Sequence, residues 1–279
     1  MSSTFLVVPQ WQGSGSSRAM RLVDGAEAVR HELPSGATRL IEVPLEAGDS
    51  EGTGILRFSA IRLVRERVQR ELASLDDVAI IIGGDCGVEY AGVEHAARAG
   101  QVVLLWADAH ADLNTPETSP SGAFHGMVLR SLIDEGVVAP ENVLLVGVRD
   151  LDDAEAEFIE RAGIAHVPAS DVGAAIAARA AAVREAGGTP VLYAHVDLDV
   201  LDPGAFSGVG FPTPFGLTLD ELTTAITDAR ASLELVGAGL TEFAPAALGS
   251  ADLDPNPSAD ANAGDDLTTI LRILGALRR

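Results

Sequence analysis

Val102-Val103-Leu104-Leu105-Trp106-Ala107-Asp108-Ala109-His110-Ala111-Asp112-Leu113-Asn114 passes from an apolar, β-branched run into two carboxylates and an imidazole. The run predicts a strand buried on both faces, as in a parallel sheet. Asp108, His110 and Asp112 follow at alternate positions, and alternation in an extended chain puts three side chains on one side. Hard oxygens and an imidazole converging at a strand end make a donor set for a divalent cation. Taken alone, the stretch reads equally well as a solvated polar loop.

The pattern recurs. Residues 78–82 form an apolar run before Gly83-Gly84-Asp85-Cys86-Gly87, and residues 143–148 before Arg149-Asp150-Leu151-Asp152. Residues 191–196 precede Asp197-Leu198-Asp199-Val200-Leu201-Asp202-Pro203, and residues 235–240 precede Thr241-Glu242-Phe243. Helical patterns separate these runs: an amphipathic one over residues 54–75, an alanine-rich one over 172–186, and others over 219–233 and 267–277. Strand, polar loop and helix in repetition predict an α/β fold around a parallel sheet. Such sheets bind ligands beyond the carboxyl ends of their strands, where every polar cluster lies. Residues 258–264 read as a surface loop and Pro212-Thr213-Pro214 as a turn. The glycine- and serine-rich stretch from Gln10 to Arg18 lacks phosphate-loop spacing and reads as an ordinary loop. No break in composition divides the chain, so one domain over residues 1–279 is expected.

Composition narrows the function. The 279 residues are 47% hydrophobic, ample for a core, and no segment approaches the roughly 18 uninterrupted apolar residues of a membrane span. The N-terminus reads as a first strand rather than a signal peptide, so a cytoplasmic location is expected. A single cysteine rules out an internal disulfide. The net charge is −22, and all 19 cationic residues are arginine. Such acidity argues against nucleic acid or anionic membrane as partners and suits a small cationic substrate. Without lysine there is no Schiff-base chemistry. Asp108/His110/Asp112 and Asp197/Asp199 together offer donors for two divalent ions sharing carboxylates, and an oxygen-rich set favours manganese over zinc. Paired ions lower the pKa of a shared water and so create a nucleophile.

Gly83-Gly84-Asp85-Cys86, Asp108-Ala109-His110-Ala111-Asp112 and Asp197-Leu198-Asp199-Val200-Leu201-Asp202-Pro203 resemble the metal motifs of the ureohydrolase family, which includes arginase and agmatinase. The resemblance spans nearly the whole length. It implies a three-layer α/β/α, arginase-like fold with a central, mostly parallel sheet and a site for two Mn2+. One ion would take Cys86, Asp108, Asp112 and Asp197, and the other Asp108, His110, Asp197 and Asp199. Asn114, Ser119 and Ser121 match the arginase-branch residues that hold an amino-acid carboxylate, and Asp150 and Asp152 those that meet its amino group. Asp112 would accept the nucleophile's proton, Glu242 would receive the guanidinium, and His125, within Ser121-Gly122-Ala123-Phe124-His125-Gly126, would relay a proton to the leaving amine. His166 and His195 carry no motif and read as structural.

Two departures bear on the substrate. Cys86 stands where the family has a histidine ligand, and thiolate is softer than imidazole, so weaker manganese binding is expected there. Phe211 replaces a hydroxyl residue usual in arginase beside the guanidinium pocket. The cysteine exchange is similar to the branch of the family that hydrolyses Nω-hydroxy-L-arginine to L-ornithine and hydroxyurea in D-cycloserine biosynthesis. The resemblance therefore implies a metal-dependent hydrolase of a guanidino amino acid. The alternatives are arginase itself, another guanidino or formimidoyl amino-acid hydrolase, and a metal-impaired, non-catalytic relative. It also leaves a homo-oligomer open, since family members form trimers and hexamers.

Overall fold

Period-two alternation divides each strand's side chains between two helical layers. The computed structural model describes residues 3–245 and 258–278, so Met1 and Ser2 of the opening stretch lie outside it. In chain order the elements are β1 Ser3–Val8, α1 Arg21–Glu32, β2 Thr38–Leu40, α2 Phe58–Leu72, β3 Val78–Gly83, α3 Glu89–Ala96, β4 Gln101–Ala107 and α4 Val128–Asp134. They continue with β5 Val143–Val146, α5 Asp153–Ala162, β6 Ala165–His166, α6 Val172–Glu185, β7 Pro190–Asp197, α7 Leu219–Ser232, β8 Leu235–Thr241 and α8 Ser258–Arg278. All strand pairs are parallel, in the order β2-β1-β3-β8-β7-β4-β5-β6.

Phe5, Ile80, Val103, Leu105, Leu192 and Ala194 pack with α1, α6, α7 and α8 on one face. Leu104, Trp106, Leu145 and Tyr193 pack with α3, α4 and α5 on the other, while Leu6 and Ile81 meet α2. This is the expected three-layer α/β/α arrangement, with the sheet wholly rather than mostly parallel.

The chain leaves β3 for β4 across a gap that β8 and β7 later fill. Strand order reverses when the chain returns from β6 to insert β7 and β8, and the site gathers at the carboxyl ends of the four central strands β3, β8, β7 and β4.

Several local expectations change. The third apolar run stops as a strand at Val146 because Gly147 turns the backbone to φ 84°, where a Cβ would sit 2.4 Å from Val200 Cγ2. Helix α2 starts at Phe58, not near residue 54, since Arg57 is left-handed at φ 57°. The surface loop expected at residues 258–264 is the first part of α8. Its Ser and Asp signals also suit a helix start, and its alternating alanines favour helix. Gln10, Gln12 and Ser14 of the expected ordinary loop are buried. No helix among the described residues is long and apolar enough to cross a membrane.

Candidate metal centre

Four neighbouring strands deliver the acidic residues. Asp85 and Cys86 follow β3, Glu242 follows β8, Asp197 ends β7 with Asp199 beyond it, and Asp108, His110 and Asp112 follow β4. Each loop is fixed by its own backbone. Asp85 accepts from Gln10 Nε2 and Gly87 N through Oδ1 and from Gly13 N through Oδ2, each at 2.9 Å. The loop from Gln10 thus anchors the turn that carries Cys86. Burial pushes the Asp85 carboxyl up to about 6 despite these donors. Asp197 Oδ1 accepts from Asp199 N at 2.8 Å, and Asp199 Oδ1 from Ala109 N at 3.1 Å, which ties the β7 and β4 loops together.

The side chains converge. Cys86 Sγ lies 3.0 Å from Asp197 Oδ2, and its backbone N–H donates to Glu242 Oε1 at 3.3 Å. His110 Nδ1 lies 3.0 Å from Asp199 Oδ2 and 3.5 Å from Asp108 Oδ1. Asp108, His110 and Asp199 form one candidate cation site, and Cys86, Asp108 and Asp112 belong to another with His195. Asp197 groups with Cys86 and Glu242.

Whether these residues suit divalent cations is answered by their electrostatics. Burial, reinforced by neighbouring carboxylates, raises Asp112, Asp197, Asp199 and Glu242, and it pushes the Cys86 thiol up well above its usual range. Asp112 Oδ2 is buried without a hydrogen-bond partner. Asp112, Asp197, Asp199 and Glu242, packed this closely with Asp108, cannot all ionise in a low-dielectric interior unless positive charge joins them. The donor set therefore fits cations.

Above the carboxylates a cavity of about 240 Å3 opens between the strand ends and the 114–126 segment. His110, Asp112, Asn114, Ser119, Ser121, His125, Asp150, Asp152, Asp197, Asp199 and Glu242 all line it, while Cys86 and Asp108 lie beneath. Asn114 is already engaged: its Nδ2 donates to Asp152 Oδ2 at 2.7 Å, and its Oδ1 accepts from Thr118 Oγ1 at 2.6 Å. Asp152 also caps α5 in a capping box with Glu155. Ser119 and Ser121 brace their own loop by accepting from Gly122 N and Ala123 N. His125 Nδ1 stands 3.7 Å from Glu242 Oε1, and its ring stacks on Phe211 at 5.2 Å. Burial, helped by His110, lowers the His125 imidazole to about 4, so it is neutral at pH 7.

Two contributors carry no motif, and a third, Arg149, stands in one with a role of its own. His195, which by sequence reads as structural, is fully buried in the carboxylate cluster. Its signal was positional: it precedes Asp197 by two residues in a strand and so shares its face. Glu155 lines the cavity and accepts from Leu113 N at 3.0 Å. Arg149 holds the backbone beneath the site, a role that no spacing reveals.

A family model described as Arginase family matches residues 23–253. An N(omega)-hydroxy-L-arginine amidinohydrolase from Streptomyces lavendulae is 31% identical over 247 residues, covering 84% of this chain and 88% of that protein. An arginase from Staphylococcus aureus strain MRSA252 is 30% identical over 228 residues, covering 75% and 76%. The arginase structure from Bacillus caldovelox superposes with a TM-score of 0.78 at 23% identity, covering 99% of this chain and 97% of that one. With its wholly parallel sheet and its strand-end acidic motifs, the chain belongs to the arginase family of amidinohydrolases.

Proposed function

We propose that the chain is a binuclear manganese amidinohydrolase of an arginine-like amino acid, with Nω-hydroxy-L-arginine as substrate and L-ornithine and hydroxyurea as products. The observation that carries the choice of substrate is Cys86, a buried thiol 3.0 Å from Asp197 Oδ2, within the donor cluster. A soft donor weakens manganese binding at that position. An N-hydroxyl group withdraws electrons from the guanidine, lowers its basicity and adds a donor oxygen, so this substrate tolerates a weaker metal pair than arginine does. The 31% identity to the Streptomyces lavendulae enzyme, which has that substrate in its name, supports the reading. Arginase activity is the second reading, favoured by a comparable 30% identity to an arginase.

When bound, two divalent ions would supply a nucleophile from water at neutral pH. Cys86, Asp108, Asp112, His110, Asp197 and Asp199 would hold them. Asp112, whose Oδ2 has no protein partner, would take and hold the nucleophile's proton. Glu242 would orient the planar head group through paired hydrogen bonds. His125, neutral at pH 7, would pass a proton onward to the leaving amine rather than store one. Asn114, Ser119 and Ser121 would meet the carboxylate, and Asp150 and Asp152 the α-amino group. The same reading makes the protein a single-domain cytoplasmic enzyme, and a step in D-cycloserine biosynthesis rests on the same resemblance. Its charge of −22 disfavours nucleic acid and anionic membranes as partners.

The test is steady-state kinetics on arginine and Nω-hydroxy-L-arginine with added manganese, for wild type and Cys86→His. Wild type should favour the hydroxylated substrate, and Cys86→His should gain arginine activity by about tenfold or more, the scale on which metal-site changes act. No release of urea or hydroxyurea by either protein at saturating manganese would falsify the substrate assignment.

A further inference from the structure

Tyr193, His195 and Asp197 occupy alternate positions of β7 and project to the same face. His195 is fully buried and stacks on Trp106 with ring centroids 3.7 Å apart. Neither of its ring nitrogens has a hydrogen-bond partner. Nε2 points toward Asp108, 3.7 Å from Oδ2, and Nδ1 toward Glu89, 3.6 Å from Oε2. A ligand nitrogen of His195 lies within 4.8 Å of donor atoms of Cys86, Asp108 and Asp112, each of which is within that distance of the others. Glu89 is itself fully buried, and its Oε2 accepts from Tyr193 Oη at 2.9 Å. The surroundings leave room for this group only because Gly92 and Gly239 lack side chains: a Cβ there would lie 2.2 Å from Tyr193 Oη and 1.7 Å from Glu89 Oε1.

An imidazole buried without hydrogen bonds, with one nitrogen toward a cluster of anionic donors and the other toward a carboxylate, has the layout of a metal-ligating histidine. Such a ligand is oriented by the acceptor at its other nitrogen. We propose that His195 is a ligand of the cation at Cys86, Asp108 and Asp112, with Glu89 and Tyr193 as the positioning pair behind it. This rests on the reading of the site as a metal centre and deepens it. The first ion then has a sulfur, a nitrogen and two carboxylate donors, a softer set that holds zinc or cobalt more tightly than the manganese proposed for the reaction, which makes those ions suitable probes. Asp197, whose Oδ2 lies 3.0 Å from Cys86 Sγ and whose Oδ1 accepts from Asp199 N, stands between this set and the second cluster of Asp199 and His110.

The test uses the full chain stripped of metal and loaded with one equivalent of Zn2+ or Co2+. In a His110→Ala background, zinc X-ray absorption should report a sulfur scatterer together with an imidazole. His195→Gln should keep the sulfur, lose the imidazole signature and weaken Co2+ affinity about 100-fold, whereas Glu89→Gln should keep both signatures and weaken affinity about tenfold. Sulfur without imidazole in the His195-containing protein overturns the proposal. So does a His195→Gln variant with unchanged affinity and unchanged cobalt spectrum. If His195→Gln does not fold, as judged by circular dichroism, the spectrum of the His195-containing protein decides. Failure to bind any divalent ion overturns the metal-centre reading itself, an outcome distinct from binding through sulfur alone.

Discussion

Asp112 and Glu242 are held at φ 54° and 66°, in the left-handed region where a residue with a Cβ sits at a cost of about 1 kcal/mol or more. Both carboxyls are buried, and burial raises both, with Asp108 adding to it at Asp112 and Asp85 at Glu242. Strain and uncompensated charge therefore coincide at the residues proposed to handle the proton and the guanidinium. Asp112→Asn tests the connection. Asparagine tolerates the left-handed backbone, and its amide carries no charge into the cluster. The metal-free variant should be more stable than wild type by on the order of 1–2 kcal/mol in urea unfolding. Its turnover with saturating metal should fall by about 100-fold or more. A metal-free protein made less stable by the change would contradict the electrostatic account. The ligand candidates were legible in the sequence because carboxylates, an imidazole and a thiol stood at fixed spacings directly after apolar runs. The strain was not, since no residue type announces a left-handed aspartate. Nor was it legible that Asn114, matched to a substrate carboxylate, already binds Asp152 and Thr118.

At the level of elements, the strand ends that carry these residues are fastened by a half-buried arginine. Arg149 donates from Nε to Pro214 O at 2.9 Å, from Nη1 to Gly147 O at 2.9 Å, and from Nη2 to Asp199 O at 2.8 Å and Thr213 O at 2.7 Å. One guanidinium thus links the exits of β5 and β7 to the segment around residue 214. A flat fork with five N–H donors can satisfy several carbonyls at once, which lysine cannot. Arg149→Met should cost about 2–4 kcal/mol in urea unfolding, the scale for stranding several carbonyls that had a charged donor. Arg149→Lys should recover only part of that. A loss under about 0.5 kcal/mol for Arg149→Met, the range of ordinary surface changes, would show that the clamp carries no weight. The central strands were legible because burial on both faces demands continuous β-branched and aliphatic runs. The edge strands β2 and β6, three and two residues long, have no run to detect. Helix α5 is hard to read from sequence because its acidic surface obscures a clear start signal, the Asp152 and Glu155 capping box. The order of strands was beyond local pattern altogether, since it is set by which helix crosses which face.

Across the whole molecule, a chain with 41 acidic residues and 19 cationic ones places part of its excess negative charge, buried, at the carboxyl ends of its central strands. Burial and mutual repulsion raise Asp112, Asp197 and Glu242 well above the usual carboxylate range, and burial raises Asp85 to about 6. Without metal, the folded chain therefore keeps protons that the unfolded chain, with carboxyls near 4, has released. Where the native state binds more protons than the unfolded state, stability falls as pH rises. Asp108 works the other way: burial would raise it, but His110 and His195 outweigh that and hold it low, so its contribution is lost only below about 4. Divalent ions need deprotonated ligands, so their stabilisation grows over the range in which the metal-free protein weakens. Urea midpoints at pH 5.5 and pH 8 should thus order oppositely: the metal-free protein higher at pH 5.5, the metal-saturated protein level or higher at pH 8. Exposed acidic residues also repel more strongly as pH rises, but roughly 0.5 M salt screens them while leaving the buried cluster little affected. A pH effect on the metal-free midpoint that vanishes in that salt would assign the instability to the surface. One that persists, and disappears on adding metal, locates it in the carboxylates at the ends of β3, β8, β7 and β4.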